Sequence, residues 1–185
     1  EAPERGARYA FQAGEQAERL AAWNEAVKFY GLAAHGLAGV HRLPALIALA
    51  RAHFKAGQFP QASEVLREAL ALAEASHADR AQIDQIRLEL ARTFFPQGRY
   101  SEAIALAQRV CRSVNPESAI IAETTWGTAL SIEGADLQAA SEHLEAAQSL
   151  WFGLPEAPAK LLAHIQFELG NVAAQQGDLE RAISY

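Results

Sequence analysis

Residues 49–63 read LARAHFKAGQFPQAS, and residues 90–104 read LARTFFPQGRYSEAI. Each opens on an apolar residue followed by a small one, Leu49-Ala50 and Leu90-Ala91. Each then breaks at a glycine, Gly57 or Gly98, places an aromatic residue after the break, Phe59 or Tyr100, and sets an alanine three positions on, Ala62 or Ala103. A small residue on one helix facing an alanine on the next lets two antiparallel helices approach closely, while the aromatic ring covers the end of the pair. A glycine between them supplies the left-handed residue that satisfies the last carbonyls of the first helix. The unit is a helical hairpin.

Three further stretches fit the frame: AGEQAERLAAWNEAV at 13–27, WGTALSIEGADLQAAS at 126–141 and LGNVAAQQGDLERAI at 169–183. The small position is filled by Gly14, Ala50, Ala91, Gly127 and Gly170, which lie 36, 41, 36 and 43 residues apart. The position after the turn holds Trp23, Phe59, Tyr100, Leu137 and Leu179, and the alanine three further on is Ala26, Ala62, Ala103, Ala140 and Ala182. Asp136 and Asp178 are suited to cap second helices, Pro60 to sit in a first turn, and Asn115-Pro116 to open a new hairpin. Repeats are expected at about 7–42, 43–83, 84–118, 119–162 and 163–185, the last incomplete, within one domain spanning 1–185.

Composition agrees with the repeat. Of 185 residues, 41 are Ala and 21 are Leu, while Val, Ile and Thr together number 19. That is a helix-forming chain with too few β-branched residues for a sheet fold. The net charge of −6 has the wrong sign for following a phosphate backbone, so nucleic acid is not an expected partner. One cysteine, Cys111, forms no internal disulfide, and with six scattered His it gives no metal-ligand spacing. No run is long and apolar enough to span a membrane, and the start, EAPERGARYA, lacks the pattern of a signal peptide. A cytoplasmic setting with no cofactor, metal or membrane is the expectation. The chain contains no Met, and its last residues, GDLERAISY, stop inside a helical pattern, so it reads as a piece of a longer protein.

The pattern resembles the tetratricopeptide repeat, whose signature places L-G ahead of the turn and A-x₃-F after it. Here the first element is Leu169-Gly170, Trp126-Gly127, Leu49-Ala50 and Leu90-Ala91, and the second is Ala26 with Tyr30, Ala62 with Leu66 and Ala140 with Leu144. The leading Trp position departs from the signature, holding Ala10, Leu46, Arg87, Glu123 and Gln166. Repeats longer than the family's are expected to prolong helices, for example within LAEASHADRAQID, and resemble the long repeats of bacterial signalling and regulatory proteins. The resemblance implies an all-α, right-handed superhelical solenoid of antiparallel helix pairs. It also implies a protein-interaction scaffold that binds a peptide or helix in a concave groove, as part of a larger regulatory protein. A ligand- or peptide-sensing domain controlling an attached effector is the alternative. An enzyme is not implied: no phosphate loop, nucleophile triad or carboxylate pair is legible.

Carried onto this chain, the family's groove positions fall on Phe11, Glu15 and Glu18; Ile47, Arg51 and Phe54; Leu88, Arg92 and Phe95; Thr124, Thr128 and Ser131; and Phe167 and Asn171. Repeats two and three thus carry the same trio, an aliphatic residue, an Arg and a Phe, which Lys55 and Arg8 extend. Cationic forks beside aromatic faces suit an acidic peptide with an apolar anchor. In the competing reading, Arg51 and Arg92 pair with acidic neighbours while Phe54 and Phe95 pack between hairpins. The sequence leaves both open. Cys111 reads as a buried, inert thiol. Leu179, Ala182 and Ile183, at the incomplete fifth hairpin, suggest an apolar end through which copies could associate.

Overall fold

A computed structural model describes residues 2–134 and 136–185, and these contain helices and no strand. In chain order the helices are α1 (Ala2–Arg19), α2 (Trp23–Gly36), α3 (Leu43–Lys55), α4 (Phe59–Ala75), α5 (Arg80–Phe94), α6 (Tyr100–Val110), α7 (Pro116–Glu133), α8 (Leu137–Phe152), α9 (Ala159–Gln175) and α10 (Leu179–Ser184). They fall into two compact units, residues 1–97 and 98–185.

In the first unit, α1 to α4 pack successively and α5 lies against α4. The seam is made as the repeat requires. Ala26, Ala50, Ala62 and Ala91 are wholly buried, and Tyr30 closes a core cluster with Ala17, Ala48 and Ala52. The Tyr30 hydroxyl donates to Glu18 Oε2 at 2.7 Å; burial and that carboxylate hold the phenol above its ordinary pKa. Gly14 lies under the Tyr30 ring, where a Cβ would stand 2.6 Å from ring carbons.

In the second unit, α7 packs on α6 and α8, α8 on α9, and α9 on α10. Ile120, Leu144, Ile165, Leu169 and Val172 form the core with Ala140 and Ala147. Helix starts follow local chemistry. Asn115 accepts from the amides of Glu117 and Ser118 with Pro116 at the first helical position, and Asp136 and Asp178 accept from the amides of Ala139 and Arg181. The additional residues around 72–84 are shared out: α4 runs on to Ala75, a turn crosses 76–79, and α5 gains its opening turn at Arg80.

Two polar residues in the leading Trp position, Arg87 and Glu123, meet partners of opposite or complementary character. Arg87 reaches Asp84 on its own helix and Glu74 on α4, and Glu123 accepts from or pairs with His143 Nδ1 at 2.7 Å. His143 in turn stacks on Trp126, with ring centroids 3.8 Å apart.

Gly57, Gly98, Gly134 and Gly177 all take left-handed φ at the turns between the helices of a repeat. In the first repeat that position is filled by Ala21, exposed, at φ 54°. The left-handed region costs alanine about 1 kcal/mol, partly offset by the greater unfolded-state freedom of glycine. Ala21→Gly is therefore expected to raise the melting temperature slightly, by roughly 0.5 kcal/mol of stability, in thermal unfolding followed by circular dichroism.

Candidate functional site

In the first unit the faces of α3 and α5 meet around a shallow depression of about 130 Å³. Ala50, Leu66 and Phe54 give it apolar lining; Arg51, Lys55 and Arg92 stand around it as cations. The helical period explains the grouping: positions 47, 51, 54 and 55 share one face of α3, and 88, 89 and 92 share one face of α5. The Arg92 guanidinium lies over the Phe54 ring, 4.9 Å from its centroid, and Phe54 meets Phe59 edge to face at 5.3 Å. The stack fixes Arg92 without neutralising it.

Among the described residues, no carboxylate comes within ion-pair distance of Arg51, Lys55 or Arg92. That separates them from Arg42, Arg87 and Arg181, whose guanidiniums meet Glu68, Asp84 with Glu74, and Glu145. Arg51 and Arg92 thus form no ion pair with an acidic neighbour, although both guanidiniums act on the carboxyl of Glu89.

The other sequence candidates disperse. Ile47 is half-buried on α3, and Leu88 is 8% exposed on α5. Phe95 stands outside the lining residues, because α5 ends at Phe94 and the chain passes into a 3-10 turn over Phe95–Gln97. Asn171 belongs to the second unit, on α9, with its amide 3.4 Å from Glu168 Oε2. Phe11 is half-buried and packs on Tyr30. In the fourth repeat Thr124, Thr128 and Ser131 are at most 8% exposed, and Gln175 donates to Ser131 at 2.9 Å, so that stretch presents no open polar wall. Cys111 is half-buried with its thiol pushed up to about 12, chiefly by burial and then by the carboxylate of Glu123; it is held as an unreactive thiol.

One residue escaped the sequence reading. Glu89 lines the depression with the three cations, three positions before Arg92 on α5. Burial raises its pKa; Arg51, Arg92 and a hydrogen bond from Gln85 pull it back without restoring the ordinary value. Because the folded value lies above the unfolded one, ionised Glu89 opposes folding. The penalty is absent below the ordinary value of 4.5, grows as pH rises through the window up to the folded pKa, and is complete above it. Glu89→Gln is accordingly expected to be more stable than the parent near neutrality, with the difference closing as pH falls towards the ordinary carboxylate value. Urea unfolding at a series of pH values reads this directly.

An all-α chain of antiparallel helix pairs with a small-residue seam is a TPR-like solenoid, and comparison with known proteins agrees. Residues 41–114 match the tetratricopeptide repeat family. A sequence comparison with curated proteins gives no match. Among solved structures, the chain is similar to a kinesin light chain-like protein of Podosopora anserina with nearly identical TPR-like repeats, at 23% identity over 100% of this chain and 92% of that one, with a TM-score of 0.79. It is similar also to BtubC (BKLC) from P. vanneervenii, at 18% identity over 100% and 88%, with a TM-score of 0.73. A third likeness is to the apo form of RapI, at 15% identity over 97% of this chain and 51% of that one, with a TM-score of 0.82. At these identities the likeness is one of fold. The sequence match to the tetratricopeptide repeat family covers 41–114, and along the whole chain the likeness to these solved structures is one of fold.

Among the described residues, no helix is long and apolar enough to cross a membrane, and no group of three or more His, Cys, Asp or Glu could hold a metal ion.

Proposed function

We propose that the chain is a non-enzymatic protein-interaction scaffold whose depression between α3 and α5 receives an acidic segment of a partner protein. The tetratricopeptide fold supports a scaffold in general terms. The observation that carries the finer reading is a set of three cations, Arg51, Lys55 and Arg92, gathered on one surface with no ion-pair partner, around an apolar floor. Guanidiniums without an ion-pair partner keep donors available, and a carboxylate is the group that uses two of them at once. Phe54 and Leu66 offer contact for an apolar side chain beside that carboxylate. The depression is small, so it takes one acidic group and its immediate neighbour, while the rest of the segment runs across the exposed faces of the helices. Such a module suits a cytoplasmic regulatory protein in which the repeat recruits and another domain acts.

Selection from a displayed random-peptide library tests the reading. Recovered peptides are expected to be rich in Asp and Glu beside Leu or Phe, and their affinity to fall as salt rises, because exposed charges are screened over about 10 Å at 0.1 M. Recovery of only basic or neutral peptides, or of none, overturns it.

A further inference from the structure

Glu89 is a puzzle if the depression only attracts acids. A carboxylate stands inside an acid-binding surface, close enough to Arg51 and Arg92 to feel both, yet outside ion-pair distance of either and of Lys55. The groups facing it are Arg51 and Lys55 from α3 and Arg92 from its own helix; α4 contributes Leu66 to the lining and no charge. Gln85, one turn earlier on α5, donates to it.

We propose that Glu89 is the specificity-determining residue of this surface: it competes with the incoming acid for the field of Arg51 and Arg92, so that docking of a ligand carboxylate is coupled to uptake of one proton by Glu89. The proposal rests on the acidic-segment reading given above. Its balance is simple. The ligand arrives as a carboxylate, solvent supplies the proton, and the cluster passes from three cations and one anion to three cations, one ligand anion and a neutral carboxyl that can donate a hydrogen bond. A second carboxylate between the same guanidiniums repels the first, and burial already disfavours the charged form of Glu89, so protonation is its accessible response. The arrangement also favours a single carboxylate over a multiply charged group, because every extra ligand charge within the depression faces Glu89 as well as the cations.

Coupling of this kind has a definite signature. For each pKa unit by which the ligand raises Glu89, affinity is lowered about tenfold wherever Glu89 must be ionised in the free protein. Binding therefore tightens as pH falls from neutrality towards the raised pKa of Glu89, for as long as the ligand carboxylate stays ionised.

The test uses the whole chain and an acidic peptide recovered from the displayed library, fluorescein-labelled for anisotropy and unlabelled for calorimetry in buffers of different ionisation enthalpy. The parent is expected to take up a fraction of a proton on binding and to bind several-fold tighter at lower pH. Glu89→Gln is expected to bind about tenfold tighter than the parent near neutrality, with pH dependence and proton uptake both abolished. Glu89→Leu serves as the second variant should the amide disturb the fold, with the same expected loss of proton uptake. If Glu89→Gln matches the parent in affinity and pH profile while Arg51→Glu with Arg92→Glu abolishes binding, Glu89 is a bystander and only the acidic-segment reading survives. If Glu89→Gln weakens binding in a folded chain, the competition is refuted. If the double charge reversal leaves binding unchanged, or no peptide is recovered, both readings fall together.

Discussion

Reversing two charges, Arg51→Glu together with Arg92→Glu, is expected to weaken capture of an acidic peptide by at least about a hundredfold while the chain stays folded. Each charge-assisted hydrogen bond contributes roughly 1.5–3 kcal/mol, so removing two is enough for that loss before any repulsion is counted. The fold should tolerate the change. Both side chains are exposed and neither is engaged in an ion pair, so the structural loss is the Arg92 contact with Phe54, worth about 0.5–1 kcal/mol at an exposed site, together with the pull of the two guanidiniums on Glu89, which its protonation relieves. Anisotropy with the labelled peptide reads the binding, and circular dichroism reads the fold. Arg42 offers the control: its guanidinium meets Glu68 and the Ala34 carbonyl, so Arg42→Glu should cost stability without touching capture. Capture that survives the double reversal moves the binding surface elsewhere.

Gly127→Ala carries the largest expected cost in stability, and its sign runs against propensity. In a helix interior, alanine is favoured over glycine by about 1 kcal/mol. At position 127 a Cβ would stand 2.7 Å from Leu144 Cγ and 2.9 Å from the carbonyl oxygen of Ala140. A side chain can turn aside; a backbone carbonyl inside α8 cannot, short of moving the helix. Overpacking a close-packed seam costs about 1–3 kcal/mol, occasionally more, and the net loss expected here is about 2 kcal/mol. The same repeat position supplies two companions. Gly14→Ala meets the Tyr30 ring at 2.6 Å and should also destabilise, whereas Gly170→Ala meets nothing nearer than 3.5 Å and should be neutral or mildly stabilising. Thermal unfolding of the three variants should show Gly127→Ala and Gly14→Ala melting below the parent and Gly170→Ala at or above it; an equal response at all three would show that the seam is not close-packed.

These glycines show where sequence reading succeeds and where it stops. A small residue recurring ahead of a turn is visible in the letters because close helix approach demands it in every repeat. How close the approach is depends on whether Tyr30, Leu144 or Tyr185 lies opposite, which only the packed helices decide. The candidate site divides in the same way. Arg51, Phe54, Lys55 and Arg92 come together because helical periodicity alone places them on facing stripes. Phe95 leaves the stripe at a signal the letters do carry: the residue before proline is pushed away from helical geometry, and Pro96 follows it. Glu89 is one residue from Leu88, and its place among the cations depends on how α3 packs beside α5, which the letters do not carry. The family's groove positions fall on Thr124, Thr128 and Ser131, yet α7 buries all three because it is packed on more than one side.

The stack of Trp126 on His143 has a practical consequence of another kind. The chain has three tryptophans; Trp23 reports from the first unit, and Trp126 and Trp151 from the second. Among the described residues, Trp126 is the tryptophan that stacks on an imidazole, itself tied to Glu123. Replacing the imidazole at 143 therefore alters the surroundings of Trp126 while Trp23 keeps its own, and a change in the light this protein emits on that replacement can be traced to one side chain on α7 without any label being attached.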